Sequence, residues 1–462
     1  MGDPEDRAIV RNREALLSHG PRRLRSDALD IVEAGIRGAD AGAGTRRLVR
    51  LDGDVLHVGG REFRLADRRV FVVGAGKGSL AIAAALDELL SERITTGVVV
   101  VKRGHTRRLK RIEAHEAGHP IPDDASVEGA RKIAAVLDRA GKGDLVLAAV
   151  TGGASALALL PPEGVSLADV QAVTKALLNS GAVIQDINTV RRHLCQLKGG
   201  RLVARAAPAE VVTLTLDTAH PGMPWPDPCL PDPTTFADAV AVLRGRGLWE
   251  QTPEAVRRYL EEGTSCPERE TLKSLDGLRS SIVYVGSPAG ACDAAAAKAE
   301  ALGYPPAVLA TYIEGEAKDV GLALAGIANE IAERARPFAP PCAVITGGEA
   351  TVTVTGDAGT GGPNQETALS FARAVCGDER IAFCAVDTDG TDGPTDIAGG
   401  LIDGGTAGRA ARAGVDLAEA LRRHGSSAAL TRLGEAVVTG HTDTNVMNLR
   451  VVLIAATEGE NT

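Results

Sequence analysis

The sequence predicts an α/β protein of two domains, the N-terminal one a doubly wound, Rossmann-like sheet. Three observations predict it. Apolar strand-like runs alternate with helical periodicities, several of these runs end in closely spaced glycines, and the pattern restarts after a charged stretch at 246–282. The 462 residues are 44% hydrophobic and 24% charged, the composition of an ordinary globular chain. They include 54 Gly but only 2 Trp, 4 Tyr and 6 Phe, too few rings for an aromatic nucleic-acid platform. The net charge of −9 argues against a phosphate-backbone binder. The 7 cysteines form no CxxC and fit reduced thiols. No apolar run approaches the ~20 residues of a membrane span, and the first residues lack the apolar core of a signal peptide. A cytoplasmic location is therefore expected.

Taken in order, Leu24–Ala41 carries apolar residues at helical spacing, and a polar, hairpin-like stretch follows with turns at Asp52-Gly53 and Gly59-Gly60. RRVFVVGAGKGSLAIAAALDELL then reads as strand, glycine turn and helix. TTGVVVVKRG is a strand, ASVEGARKIAAVLDRA a helix, and DLVLAAV a strand running into TGGASALALL. The helix SLADVQAVTKALLNSG and the helical IQDINTVRRHLCQLKGGRLVARA lead to the buried strand EVVTLTLD. A proline cluster from Pro221 to Pro233 breaks the pattern and suggests a long functional loop. The second half repeats strand, glycine turn and helix in IVYVGSPAGACDAAAAKAEALGY. The alternation TVTVT after Gly347-Gly348-Glu349 suits a half-exposed strand, IAFCAVD feeds an acidic loop, and LRVVLIAA is a last apolar strand. The division expected is 1–245, a connector at 246–282, and 283–462. In such folds the chemistry lies beyond the strand C-termini.

The polar segments at those positions are the candidates for chemistry. Gly74, Gly76 and Lys77 lie between a strand and a helix, where backbone N–H groups and a lysine meet an anion, or where the chain simply turns. The segment is neither a Walker A motif nor a complete GxGxxG. Gly152, Gly153 and Ser155 repeat the design after a later strand. Asn188, Arg191, Arg192, His193 and Lys198 form a cationic helical stretch, suited to a carboxylate or phosphate or to a solvated face. Asp217 ends a strand. Asp387, Asp389, Asp392 and Asp396 gather in a loop that lacks the twelfth-position Glu of a calcium loop, which leaves magnesium, a nucleotide-facing role, or Asx-turns and caps. Glu349, then Asn364 and Gln365, then His441, Thr442, Asp443 and Asn445 join short polar side chains to flexible backbone.

In this order the segments resemble the class II glycerate 2-kinases, whose C-terminal half is the MOFRL domain. VVGAGKGS is similar to the family's GAGKA turn, TGGASALALL to SGGGSALL, and SGAVIQDINTVRRHLCQLKGGRLV to SGAxIxExNxVRKHLSxIKGGRLA. LPDPTT, GGEATVTVTGDAGTGGPNQE, DTDGTDGPTDIAGG and TGHTDTNVMNL resemble VPDPTT, GGETTVTVxGxGxGGRNQE, GTDGxDGPTDAAG and TGPTGTNVNDL. The resemblance implies a C-terminal α/β domain with a mixed sheet, an active site in the interdomain cleft, ATP and Mg2+ as cofactors, and phosphorylation of glycerate or a related hydroxy acid. It implies a small-molecule acid and a nucleotide as partners, no nucleic acid or membrane, and a possible homodimer. By position, Lys77, Arg191 and Asp217 would be catalytic, and Ser155, Asn188, Lys198, His441 and Asp443 would bind substrate. Gly74, Gly76, Gly152, Gly153, Glu349, Asn364, Gln365, Thr442 and Asn445 would bind nucleotide, with Asp389 and Asp392 on the metal.

The departures from the family pattern cluster at these same motifs. After Asp217 the family's SDVxGDDxxxIASGPTVPDP is replaced by LDTAHPGMPWPDPCLPDP, the arginine of GGRNQE by Pro363, and the NDS stretch by Arg423-His424-Gly425-Ser426. His441 and Asp443 stand for Pro and Gly. Together with His220 they are expected to reshape the acceptor pocket. Two alternatives accompany the kinase reading: different chemistry on a similar acid, such as hydroxypyruvate reduction, and an inactive binding protein that kept the cleft.

Overall fold

The computed structural model describes residues 8–105, 107–217, 227–354, 356 and 358–456. Residues 218–226 of the proline-rich loop, His220 and Trp225 among them, lie outside the described residues. The chain forms two compact units, one of Ala41–Val285 and one that joins residues 8–40 to the chain from Gly286 onward. The expected division differs from these units in two respects. Residues 8–40 pack with the C-terminal half, and the expected connector at 246–282 contributes Leu248, Val256 and Leu260 to the core of the first unit.

In the first unit a sheet of 6 strands has the spatial order Ile112–Ala117, Ile94–Lys102, Val70–Ala75, Leu145–Val150, Glu210–Leu216 and Ser280–Gly286. The first five pair in parallel. Val70–Ala75, Leu145–Val150 and Glu210–Leu216 are buried at every residue, which is why they read as unbroken apolar runs. Helices Asp124–Leu137 and Leu167–Asn179 start on reciprocal caps, Asp123 with Ser126 and Ser166 with Asp169. The polar stretch before Val70 is a separate antiparallel sheet of 3 strands, Val49–Asp52, Val55–Val58 and Arg61–Arg64.

The second unit is built on a mixed sheet of 6 strands, ordered Pro306–Ala310, Cys342–Gly348, Asn448–Ile454, Ile381–Asp387, Gly399–Asp403 and Ala436–Val437. Asn448–Ile454 runs antiparallel to both of its neighbours, while Pro306–Ala310 and Cys342–Gly348 are parallel. Helices Arg22–Gly38 and Pro288–Ala301 share one apolar core with this sheet, and Ala317–Arg334 and Pro363–Ala374 share another. The expected TVTVT strand shrinks to Ala350–Thr351, because its partner Gly315–Glu316 offers only 2 residues to pair with. Val354 is consequently 61% exposed. No helix among the described residues is long and apolar enough to cross a membrane.

Candidate active site

The C-terminal ends of Val70–Ala75 and Leu145–Val150 carry two turns that interlock. The Lys77 N–H donates to the Gly152 carbonyl at 2.8 Å, the Gly78 N–H to Thr151 Oγ1 at 2.9 Å, and Ser79 Oγ to the Ala149 carbonyl at 2.8 Å. Part of the glycine content is therefore structural. A Cβ on Gly74 would lie 2.1 Å from the Ala149 carbonyl oxygen, so glycine is required there by the neighbouring strand. Gly74→Ala is accordingly expected to lower stability by about 1–3 kcal/mol without any ligand present, as urea unfolding would show. An effect seen only on nucleotide binding would return Gly74 to the expected binding role.

Gly153 is different. Its φ of +91° is a left-handed conformation, and a Cβ there would sit 3.1 Å from His119 Nε2 and 3.5 Å from Lys77 Cγ. His119, which the sequence reading did not single out, thus reaches the Lys77 turn from the end of the strand Ile112–Ala117. His119, Gly153, Ser155, Asn188 and Arg191 line one cavity of about 800 Å3. Arg191 projects from the helix Ile184–His193 and has no ion pair or side-chain hydrogen bond among the described residues; burial pushes its pKa down. A half-buried guanidinium of this kind favours an anionic ligand.

Its neighbours in the cationic stretch do other work. Arg192 is buried and paired with Asp227 at 2.6 Å and Asp232 at 3.2 Å. His193 is bonded at both nitrogens, to the Thr189 carbonyl at 2.8 Å and Glu270 at 2.9 Å. Both are structural. Lys198 is 3% exposed, and burial lowers its pKa to about 8. The unfolded chain, with an ordinary lysine pKa near ~10.4, keeps its proton over a window in which the folded chain has lost it. Stability should therefore rise with pH between about 8 and ~10.4, and the cost of the buried charge is complete below about pH 8. Lys198→Met is expected to exceed the wild type in urea midpoint near pH 7 by a gap that closes toward pH 10. A pH-independent gap would contradict this.

In the second unit the acidic loop differs from the metal site expected of it. Asp392 accepts from the backbone and side-chain amides of Asn364 at 3.0 and 3.1 Å, and from those of Gln365 at 2.9 and 3.1 Å. It thereby caps the helix Pro363–Ala374, and burial raises its pKa to about 6. Asn364 and Gln365 are 0% exposed, so these amides hold the loop in place instead of facing a nucleotide. Asp389 closes an Asx-turn on Thr391 at 2.8 Å and accepts from Asn445 at 3.3 Å. Among the described residues no group of three or more His, Cys, Asp or Glu side chains is placed to hold a metal ion. The loop does not fit a cation cage made of protein ligands alone.

Two of the segments that depart from the family pattern, the one around Pro363 and the stretch 423–426, are in contact. Pro363 opens its helix at the first position, where its missing N–H costs nothing. The Gly359 N–H donates to the Arg423 carbonyl at 2.6 Å, and His424 pairs with buried Glu366 at 2.9 Å. The other Glu366 oxygen has no partner among the described residues, and burial raises the pKa of this carboxyl. His441, Thr442 and Asp443 line a pocket of about 410 Å3 with Arg11, Arg37 and Asp40. Asp443 has φ +59°, a conformation suited to the glycine found there in the family pattern. Arg450 was also missed by sequence reasoning. It is 1% exposed, donates Nη2 to Asn448 at 2.7 Å, leaves Nε and Nη1 without partners among the described residues, and lies in the field of Glu349, Asp392 and Asp387. A lone arginine inside the apolar run LRVVLIAA was the available signal.

Comparison with known proteins covers nearly the whole chain. Residues 27–261 match a domain of unknown function (DUF4147), and residues 342–448 match the MOFRL family. A glycerate 2-kinase of Pyrococcus horikoshii is 40% identical over 94% of this chain and 98% of its own. An Agrobacterium vitis protein provisionally named hydroxypyruvate reductase is 40% identical over 84% of this chain and 87% of its own. The crystal structure of a glycerate kinase from Thermotoga maritima superposes with a TM-score of 0.81 at 37% identity, covering 94% of this chain and 100% of that one.

Proposed function

The chain belongs to the glycerate 2-kinase family, and we propose that it transfers the γ-phosphoryl group of ATP to the 2-hydroxyl of glycerate or a closely related hydroxy acid. One observation carries the assignment to specific residues. Arg191, without an ion pair among the described residues, shares a cavity with Ser155 and Asn188 and with the Gly153 backbone that abuts Lys77. Phosphoryl transfer asks chiefly for positioning and charge stabilisation, which two cations at the end of a parallel sheet can supply. Lys77 stands just before the helix Ser79–Leu90, so its ammonium and the positive helix end favour the same anion. Arg191 would fork the substrate carboxylate, with Ser155 and Asn188 binding its hydroxyls. Asp217, directly after the strand Glu210–Leu216, would take the proton of the attacking hydroxyl.

Magnesium would enter with the nucleotide, since it commonly keeps its waters and needs only one or two carboxylates besides phosphate. The activity would be cytoplasmic. Hydride transfer is the weaker reading, because Gly74 answers to strand packing and the turn lacks a complete dinucleotide fingerprint.

Thermal unfolding with ligands tests the proposal. ATP or ADP, with glycerate, should raise Tm in a concentration-dependent way, as any ligand bound only by the folded state must. No shift with nucleotide, alone or with glycerate, would contradict it.

A further inference from the structure

The cavity beside Lys77 is larger and more apolar than a three-carbon acid requires. Its volume is about 800 Å3, and its walls include Pro120, Ile121, Ala168, Ala172, Leu178 and Ile184. Ile121, Leu178 and Ile184 are 67%, 57% and 46% exposed, a patch of large aliphatic side chains gathered at one groove. Small polar acids do not recruit such a surface. Two carboxamides also line the groove, that of Asn179, which has no side-chain hydrogen bond among the described residues, and that of Asn188, the residue for the hydroxyls of the acceptor. Gln171, a third, gives one N–H to the Pro122 carbonyl at 2.6 Å, which orients its amide while leaving its oxygen able to accept. Lys175 completes the lining as a cation apart from Arg191, which holds the carboxylate of the acceptor.

Aliphatic walls, the amides of Asn179 and Gln171 and a cation together match one class of ligand, a purine nucleotide. Its base has two apolar faces and an edge of alternating donors and acceptors, a pattern that Asn and Gln side chains read in pairs. Its phosphates need positive charge. We propose that this groove, between the loop 119–122 and the helices Leu167–Asn179 and Ile184–His193, receives the adenine and ribose of the phosphoryl donor, with the phosphates directed past Gly153 toward Lys77. The assignment rests on the kinase reading and adds to it a place for the donor on the first unit. It also explains how a chain with so few aromatic residues holds a base: aliphatic side chains replace the stacking ring.

Ala172 is exposed on the groove wall, so a tryptophan there fills the groove without disturbing the core. In Ala172→Trp, the Kd for ADP and for adenosine, measured by calorimetry, should rise about tenfold or more, while KM for glycerate at saturating ATP changes less than about twofold. Ile121→Ala, a milder change at an exposed position, should weaken adenosine in the same direction. A raised glycerate KM with unchanged ADP affinity would overturn the assignment and give the groove to the acceptor. Unchanged values for both ligands would overturn it as well. A wild-type protein that binds no adenine nucleotide would instead remove the kinase reading on which the assignment stands.

Discussion

Lys77→Ala is expected to lower kcat by about 100- to 1000-fold with little change in stability, the scale seen when one preorganised charge is removed from a transition state. The backbone argument separates the two effects. The turn is held by the Lys77 N–H on Gly152 and by Thr151 and Ser79, none of which needs the ammonium. Alanine therefore keeps these bonds of the loop and removes the ammonium of a side chain that passes Gly153. Because charge builds up on the transferred group during the reaction, the loss should fall on kcat more than on KM for glycerate. Single-turnover and steady-state rates, with urea midpoints as a control, would measure it. A variant within about threefold of wild-type kcat would show that Lys77 is only a turn residue.

The second large effect concerns folding. Arg25→Met is expected to destabilise the second unit by about 3 kcal/mol, the lower part of the range for breaking a buried ion pair. Arg25 and Asp403 are both 0% exposed, and Arg25 Nη1 lies 2.5 Å from Asp403 Oδ2 while Nε donates to the Leu16 carbonyl at 2.9 Å. Asp403 keeps Arg409 at 2.8 Å in the variant, which is why the loss should not reach the upper part of the range. The pair fastens the helix Arg22–Gly38 to the strand Gly399–Asp403, although Arg25 and Asp403 are 378 residues apart in the chain. Urea unfolding followed by a probe in the C-terminal half would report the change. A loss below about 0.5 kcal/mol, the size of an ordinary surface substitution, would mean that this helix is not an integral part of that unit.

The parallel sheet of the first unit was legible because its strands are buried on both faces, and such strands appear in sequence as uninterrupted runs such as VFVVGA and LVLAAV. The edge strand Ile112–Ala117 was not, since half-exposed residues such as Glu113 and His115 dilute its pattern. The helix of Arg22–Gly38 was evident from its spacing, but its membership of the distant unit depends on a pairing with Asp403 that no local pattern encodes. Among the candidate site residues, Ser155, Asn188 and Arg191 do share a cavity. Asn364, Gln365 and Asp392 looked like ligand-binding groups because they are polar and lie beside glycines. In the fold they satisfy one another at a helix end, an alternative use of the same residue types. His119 was hidden because it meets the Gly153 turn only in the fold, and the burial of Arg450 near Glu349, Asp392 and Asp387 is likewise a tertiary property.

The most direct test of the kinase assignment is ADP release from ATP and magnesium by the wild-type protein. It would be run against glycerate, erythronate, threonate, tartronate and hydroxypyruvate, in parallel with NADH and NADPH oxidation on hydroxypyruvate. The expected result is acid-dependent ADP release, greatest with glycerate or one of its near relatives, a product phosphorylated at the 2-hydroxyl, and no nicotinamide turnover. Nicotinamide-dependent reduction without ADP release, or no turnover of any acid on the panel, would contradict it.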